Sequence, residues 1–132
     1  MLVNLYRRWL LELWTGDFDL AYELVTPDFT GHWPGMDVSG PGGLVEALRQ
    51  GHAPFSGVEI TLDVGPIVDG DLVSARWTFA GDYRGGIPGA TAPEGTRIAF
   101  SGHDILRARD GRFAEYWVIS DAQTLGEQLG TA

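Results

Sequence analysis

The hydrophobic period of this chain changes once, after Gly51, and that change restricts it to a helical first part followed by an antiparallel sheet. Apolar residues fall at Leu2, Leu5, Tyr6, Trp9, Leu10 and Leu13, the three-and-four spacing of one helix face. Gly16 ends that helix, Asp17 caps a second that runs through Val25, and Pro27 stops it. A third helix starts at Pro41 and ends at Gly51, with Leu44, Ala47 and Leu48 on one side. From there the pattern alternates, with strands expected near Val58 to Val68, Leu72 to Tyr83, Thr96 to Ala108 and Arg112 to Asp121. Asp69-Gly70 and Asp110-Gly111 tolerate positive φ and close two hairpins. The expected fold is α+β: a curved antiparallel sheet packed with three N-terminal helices, of a type that can wrap into a conical half-barrel whose open end can hold one small ligand.

The 132 residues are 44% hydrophobic, enough for one core, so residues 1–132 are expected to form a single domain. Eighteen acidic residues against nine arginines and no lysine leave a net charge of -9. Such a surface repels nucleic acid and an anionic membrane alike. With no cysteine, disulfides, thiolate nucleophiles and cysteine-based zinc sites are excluded. Arg7, Arg8 and Glu12 interrupt the apolar opening MLVNLYRRWLLELW before it reaches signal-peptide length, which fits a cytoplasmic protein.

The segments LYRRWLLELWTGDFDLAYELVTPDF, GPGGLVEALRQ, GDLVSARWTFAGDYRG and SGHDILRARDGRFAEYWVISDAQTLGEQLG cover nearly the whole chain. Together they resemble the SnoaL-like polyketide cyclase family within the nuclear-transport-factor-2-like superfamily. The resemblance implies a cone-shaped fold and a cyclase, isomerase or lyase of antibiotic biosynthesis that works without metal or cofactor on a small polyketide-like or polycyclic substrate. In the founding cyclases an Asp at the end of the last strand acts as acid/base with pocket histidines assisting. Asp121, His103 and His32 stand at the matching positions and are the expected catalytic residues.

Acid/base chemistry through an enolate needs a base near the carbon acid and a donor facing the developing oxyanion, roles that Asp121 and a histidine can fill. Asp121 is equally suited to capping a helix over Ala122 to Gln128. The face of His103 depends on the Asp110-Gly111 hairpin. A two-residue turn sets Phe100 opposite Asp121. A three-residue loop of Arg109, Asp110 and Gly111 sets His103 opposite Trp117 and on the face of Asp121, and Arg-Asp-Gly-Arg favours it. On that register Ser101, Ile105 and Arg107 share this face with Phe113 and Glu115. His32 lies in FTGHWPGMDVSG, whose Gly and Pro suggest a rim loop.

Trp14, Trp33 and Trp117 are the aromatic candidates for substrate contact, with Arg107 beside them. No helix-borne ligand pair supports a metal site, and no elbow motif supports a nucleophilic serine. Two further readings remain. One is an epoxide-hydrolase-like enzyme adding water, with Asp121 and Arg76 but with Thr78 where a second acid would be needed. The other is a non-catalytic protein that binds a small apolar molecule. Apolar residues around Tyr116, Val118 and Ile119 on both strand faces suggest a homodimer through the outer face of the sheet. Arg84 to Gly95, rich in Gly and Pro, is expected to be a mobile rim at the pocket mouth.

Overall fold

A computed structural model of the chain describes residues 1–131. The first helix starts as α1 (Leu2–Arg8) and widens into a π-helical turn, Trp9–Leu13, that buries Trp9, Leu10 and Leu13 together. A 3₁₀ turn (Phe18–Leu20) and α2 (Ala21–Leu24) follow, then strands β1 (Val25–Trp33) and β2 (Met36–Ser39). Helix α3 (Gly40–His52) leads into β3 (Phe55–Asp69), β4 (Leu72–Tyr83), β5 (Arg97–Arg109) and β6 (Arg112–Ser120), and α4 (Ala122–Leu129) closes the chain. The strands form one six-stranded sheet in the order β2-β1-β6-β5-β4-β3. All neighbours are antiparallel except β1 and β6. No helix among the described residues is long and apolar enough to cross a membrane.

The α+β cone expected from the sequence is present, with two more strands than the alternation revealed. Val25–Trp33 and Met36–Ser39 pair around a tight turn at Pro34-Gly35, where Gly35 takes φ 77°. Pro27 does not terminate the chain direction there. It falls in the stretch between Val25 and Thr30 where the β1–β6 register is irregular, so its missing N–H breaks no regular ladder. His32 therefore sits on a strand and not in a rim loop.

Helices cover one face of the sheet. Along β4, Val73, Ala75, Trp77, Phe79 and Tyr83 point to that face and are buried, while Ser74, Arg76 and Thr78 point away. Trp9 is the hub of the interior, with its ring 5.7 Å from Phe113, 4.9 Å from Tyr116 and 6.1 Å from Phe29. The face turned away from the helices leaves Ile119 71% and Ile105 45% exposed.

The β5–β6 hairpin corrects the expected register. Arg109 pairs with Arg112 across a two-residue turn in which Asp110 and Gly111 both have positive φ, 54° and 79°. Asp tolerates that conformation, so the third loop residue is not needed. The extra residue appears instead as a bulge at Ala114, between the pairs Ala108–Phe113 and Arg107–Glu115. Beyond the bulge His103 pairs with Ile119 and Ile105 with Trp117. Thus His103, Ile105, Arg107, Glu115 and Trp117 do share a face, as expected, but Phe113 is turned inward and fully buried.

The segment from Arg84 to Gly95, expected as a mobile rim, is tied down. The N–H groups of Thr91 and Ala92 both donate to the Leu129 carbonyl, at 2.9 and 3.0 Å, and Ile87, Ala90 and Ala92 pack on the core. At the C-terminal end of α4, Gly130 takes φ 76° and lies against the Thr91 side chain, where any Cβ would overlap it. Gln128 supports the same corner. Beyond the end of β6 it donates to the Ala99 carbonyl at 2.9 Å and accepts from the Ala99 N–H at 2.8 Å, replacing a missing strand neighbour.

Candidate active site

The interior of the cone holds one buried acid. Asp104 lies on β5 in phase with Ile98, Leu106 and Gly102, and it is 2% exposed. The Tyr6 hydroxyl on α1 reaches its two oxygens at 3.0 and 3.1 Å, and the Trp77 indole N–H on β4 donates at 3.2 Å. Burial pushes the Asp104 carboxyl up to about 7, against the opposing pull of the Tyr6 and Trp77 hydrogen bonds. The same burial, together with the nearby Asp104 charge, raises the Tyr6 phenol far above its ordinary range. Tyr116, also buried beside this pair, is shifted upward for the same reasons.

Next to Asp104 is a cavity of about 10 Å³, bounded by Leu10, Trp14, Ile60, Trp77, Phe79 and Tyr116. That is room for about one water molecule. Trp14 and Ile60 are its half-buried walls, and the Trp14 indole N–H is buried without a partner. The arrangement offers a carboxyl poised between its two protonation states, fixed by two donors, in an apolar enclosure.

The three residues expected from the sequence to be catalytic lie elsewhere. Asp121 is exposed at the start of α4 and caps it, accepting from the Thr124 N–H at 3.0 Å and the Thr124 hydroxyl at 2.6 Å. Those bonds hold its carboxyl below the usual range. His103 is on the outer face, where its Nε2 lies 2.7 Å from the Arg76 guanidinium. His32 is also on the outer face, between Glu115 at 2.8 Å and Asp37 at 3.0 Å, and both bonds raise its pKa, that to Glu115 more. None of the three hydrogen-bonds the Asp104 carboxyl, whose side-chain partners are Tyr6 and Trp77.

Of the aromatic candidates, Trp14 lines the interior cavity. Trp33 packs its ring 5.1 Å from Tyr116. Trp117 is on the outer face, stacked on His32 at 5.6 Å with the Arg107 guanidinium 5.5 Å from its centre. Arg107 pairs with Glu115 at 3.3 Å and Asp71 at 3.7 Å. Arg76 donates to Ser101 as well as approaching His103, and Thr78 donates to Asp63. A larger open groove, about 620 Å³, runs over this outer face past His32, His103, Ile105, Trp117 and Ile119, and Asp104 also borders it. Its charged groups already satisfy one another, and it offers none of the desolvation that tunes Asp104.

Among the described residues no group of three or more His, Asp or Glu side chains is arranged to hold a metal ion. Sequence reading passed over Asp104 in favour of its neighbour His103. The signal was there: on β5 the apolar residues Ile98, Phe100 and Leu106 mark the inward phase, and Asp104 interrupts that phase with a charge.

The chain matches the SnoaL-like polyketide cyclase family over residues 4–129 and belongs to that family. Among solved structures it resembles TsrD from Streptomyces laurentii, with 30% identity over 98% of this chain and 94% of that one, at a TM-score of 0.82. IdmH from Streptomyces antibioticus is 28% identical over 90% of this chain and 91% of its own, at a TM-score of 0.76. A Catenulispora acidiphila protein with a ketosteroid isomerase-like fold, solved with trimethylamine, shares the fold at 20% identity, covering 97% of this chain and 93% of that one with a TM-score of 0.77. No curated protein gives a significant match.

Proposed function

We infer that this member of the SnoaL-like polyketide cyclase family is a cofactor-independent cyclase or isomerase in which Asp104 is the general acid/base. The observation that carries the reading is the Asp104 carboxyl, buried in an apolar cone, pushed up to about 7 and held by Tyr6 and Trp77. A base with that affinity takes a proton from a carbon next to a carbonyl more readily than an ordinary carboxylate, yet remains partly ionised near neutrality. In a ring closure, Asp104 removes the α-proton of a polyketide-like substrate and an enolate forms. The enolate carbon attacks a second carbonyl of the same molecule, a carbon–carbon bond forms, and the new alkoxide takes the proton back from Asp104. In an isomerisation the proton returns to a different carbon of the same dienolate. Trp14, whose indole N–H is buried without a partner, and Tyr116 line the cavity beside Asp104 in which the oxyanion develops.

A ring-forming substrate exceeds the present cavity, so the reading requires the half-buried wall of Trp14 and Ile60 to move on binding. The test is turnover of small β-polyketone substrates by Asp104→Asn, an isosteric change that cannot accept the proton. Loss of kcat by about two to four orders of magnitude supports the reading. Retained turnover overturns it, and unchanged affinity without any turnover in the wild type favours a binding protein.

The outer face is read as the seat of a second copy of the chain. Ile67, Ile105 and Ile119 expose an apolar patch there, and the paired charges around it, Arg107 with Glu115 and His32 with Asp37, carry both signs, as a self-complementary surface needs.

A further inference from the structure

The movable wall of the Asp104 cavity is fastened from behind by a histidine to which the chemistry above gives no role. Trp14 ends the π-helical turn, its N–H bonded to the Trp9 carbonyl at 3.2 Å. The turn from Thr15 onward leaves the helix, so Trp14 needs another hold on its backbone. His52, at the end of α3, supplies one. Its Nε2 lies 2.7 Å from the Trp14 carbonyl, and its Nδ1 lies 2.9 Å from the Leu48 carbonyl. The ring is enclosed by Phe18 at 4.9 Å, Phe79 at 5.4 Å and Trp14 itself at 6.1 Å, between centroids.

Both partners of the imidazole are carbonyl oxygens, which only accept. A ring with one N–H donates to one of them and turns a lone pair toward the other, whereas a ring with two N–H groups donates to both. The groups facing it from the helix end at Trp14, the 3₁₀ turn, α3 and β4 are Trp14, Phe18, Leu48 and Phe79. No carboxylate comes within ion-pair distance of His52 among the described residues, the histidine ion pairs being those of His32. The bridge thus rests on one ring, with no neighbouring acid to share its bonds.

We propose that His52 is the positioning residue that latches Trp14 over the Asp104 cavity, its ring holding the Trp14 carbonyl at one nitrogen and the Leu48 carbonyl of α3 at the other. Breaking the link to the Trp14 carbonyl frees Trp14 relative to α3 and opens the wall through which substrate reaches Asp104. The functional meaning of the latch rests on the cavity being the active site, but its operation does not.

The experiment follows acrylamide quenching of Trp14 fluorescence, isolated as the difference between the wild type and Trp14→Phe. In His52→Leu the quenching constant of Trp14 rises about twofold, as local opening exposes a previously half-buried ring. His52→Gln, which offers donors from a single nitrogen, gives a smaller rise. Trp14 quenching unchanged by His52→Gln overturns the latch, and that measurement suffices even where His52→Leu fails to fold. Lost turnover in Asp104→Asn with unmoved Trp14 quenching rejects the latch alone. Retained turnover with quenching that moves as described rejects the acid/base reading alone.

Discussion

The Tyr6 hydroxyl meets the Asp104 carboxylate at 3.0 Å across 98 residues of sequence, joining the first helix to the middle of the sheet. This contact ties the position of α1 to the state of the acid. A phenol shifted upward by burial keeps its proton and continues to donate, so Tyr6 favours the ionised form of Asp104 while burial favours the neutral one.

The first prediction concerns stability against pH. The Asp104 carboxyl is raised from 3.8 to about 7, so between those values the folded chain binds a proton that the unfolded chain has released. Stability linked to this group is therefore fully present below the unfolded value and is lost as pH rises through about 7. In Asp104→Asn that slope disappears. Urea midpoints from about pH 4 to about pH 8 should fall for the wild type relative to the variant, by an amount on the order of a few kcal/mol. Parallel curves would show that the acid is not buried as described.

Asp121 gives the opposite sign. Its carboxyl is held low by the Thr124 hydroxyl and N–H, so its stabilising effect is present above the unfolded value and is lost as pH falls through the folded one. Asp121→Ala is expected to speed hydrogen exchange in α4 while leaving turnover largely intact. If turnover vanished and α4 exchange stayed slow, Asp121 would be part of the chemistry and the assignment to Asp104 would fail.

The different legibility of these two acids has a physical origin. Strands β3 to β6 could be read because one face of each is covered by helices and the other is not, which produces alternation. Strand β1 lies between β2 and β6, and its Pro27, Gly31 and the following Pro34-Gly35 look like loop chemistry even though they pair. The site was harder. A bulge at Ala114 cannot be told from a longer hairpin loop by residue types, so the parity of His103 came out correctly for the wrong register. Parity alone does not say which face the helices cover. The apolar phase of Ile98, Phe100 and Leu106 points Asp104 inward, and the burial of Ile98, Gly102 and Leu106 bears that out, with His103 outward.

The outer face supplies the third prediction. Ile119, 71% exposed on β6 opposite His103, is the most exposed of the isoleucines of the apolar patch. Ile119→Glu adds a charge where a second copy would have to desolvate it. Sedimentation of the wild type should show a dimer at micromolar concentration, with the variant shifted to monomer. A wild type that sediments as a monomer removes the proposed interface.

The last prediction uses a glycine to reach the acid indirectly. A Cβ placed on Gly102 would lie 2.5 Å from two ring carbons of Trp77 and 3.1 Å from the Ile119 carbonyl, so Gly102→Ala has to push the indole aside. Trp77 is 7% exposed and packs at its edge on Phe100, which leaves it little room to move. Overpacking of this kind costs about 1–3 kcal/mol. The displaced ring also takes its N–H away from Asp104, a donor that favours the ionised carboxylate, and the carboxyl then titrates still higher. The rising limb of turnover against pH should move to higher pH in Gly102→Ala, an effect that simple loss of stability does not produce. Gly51→Ala serves as the control, since a Cβ there meets nothing within 4 Å and α3 accepts alanine well. A Gly102→Ala enzyme that is destabilised but keeps the wild-type pH profile would show that the Trp77 bond to Asp104 has no part in setting the acid.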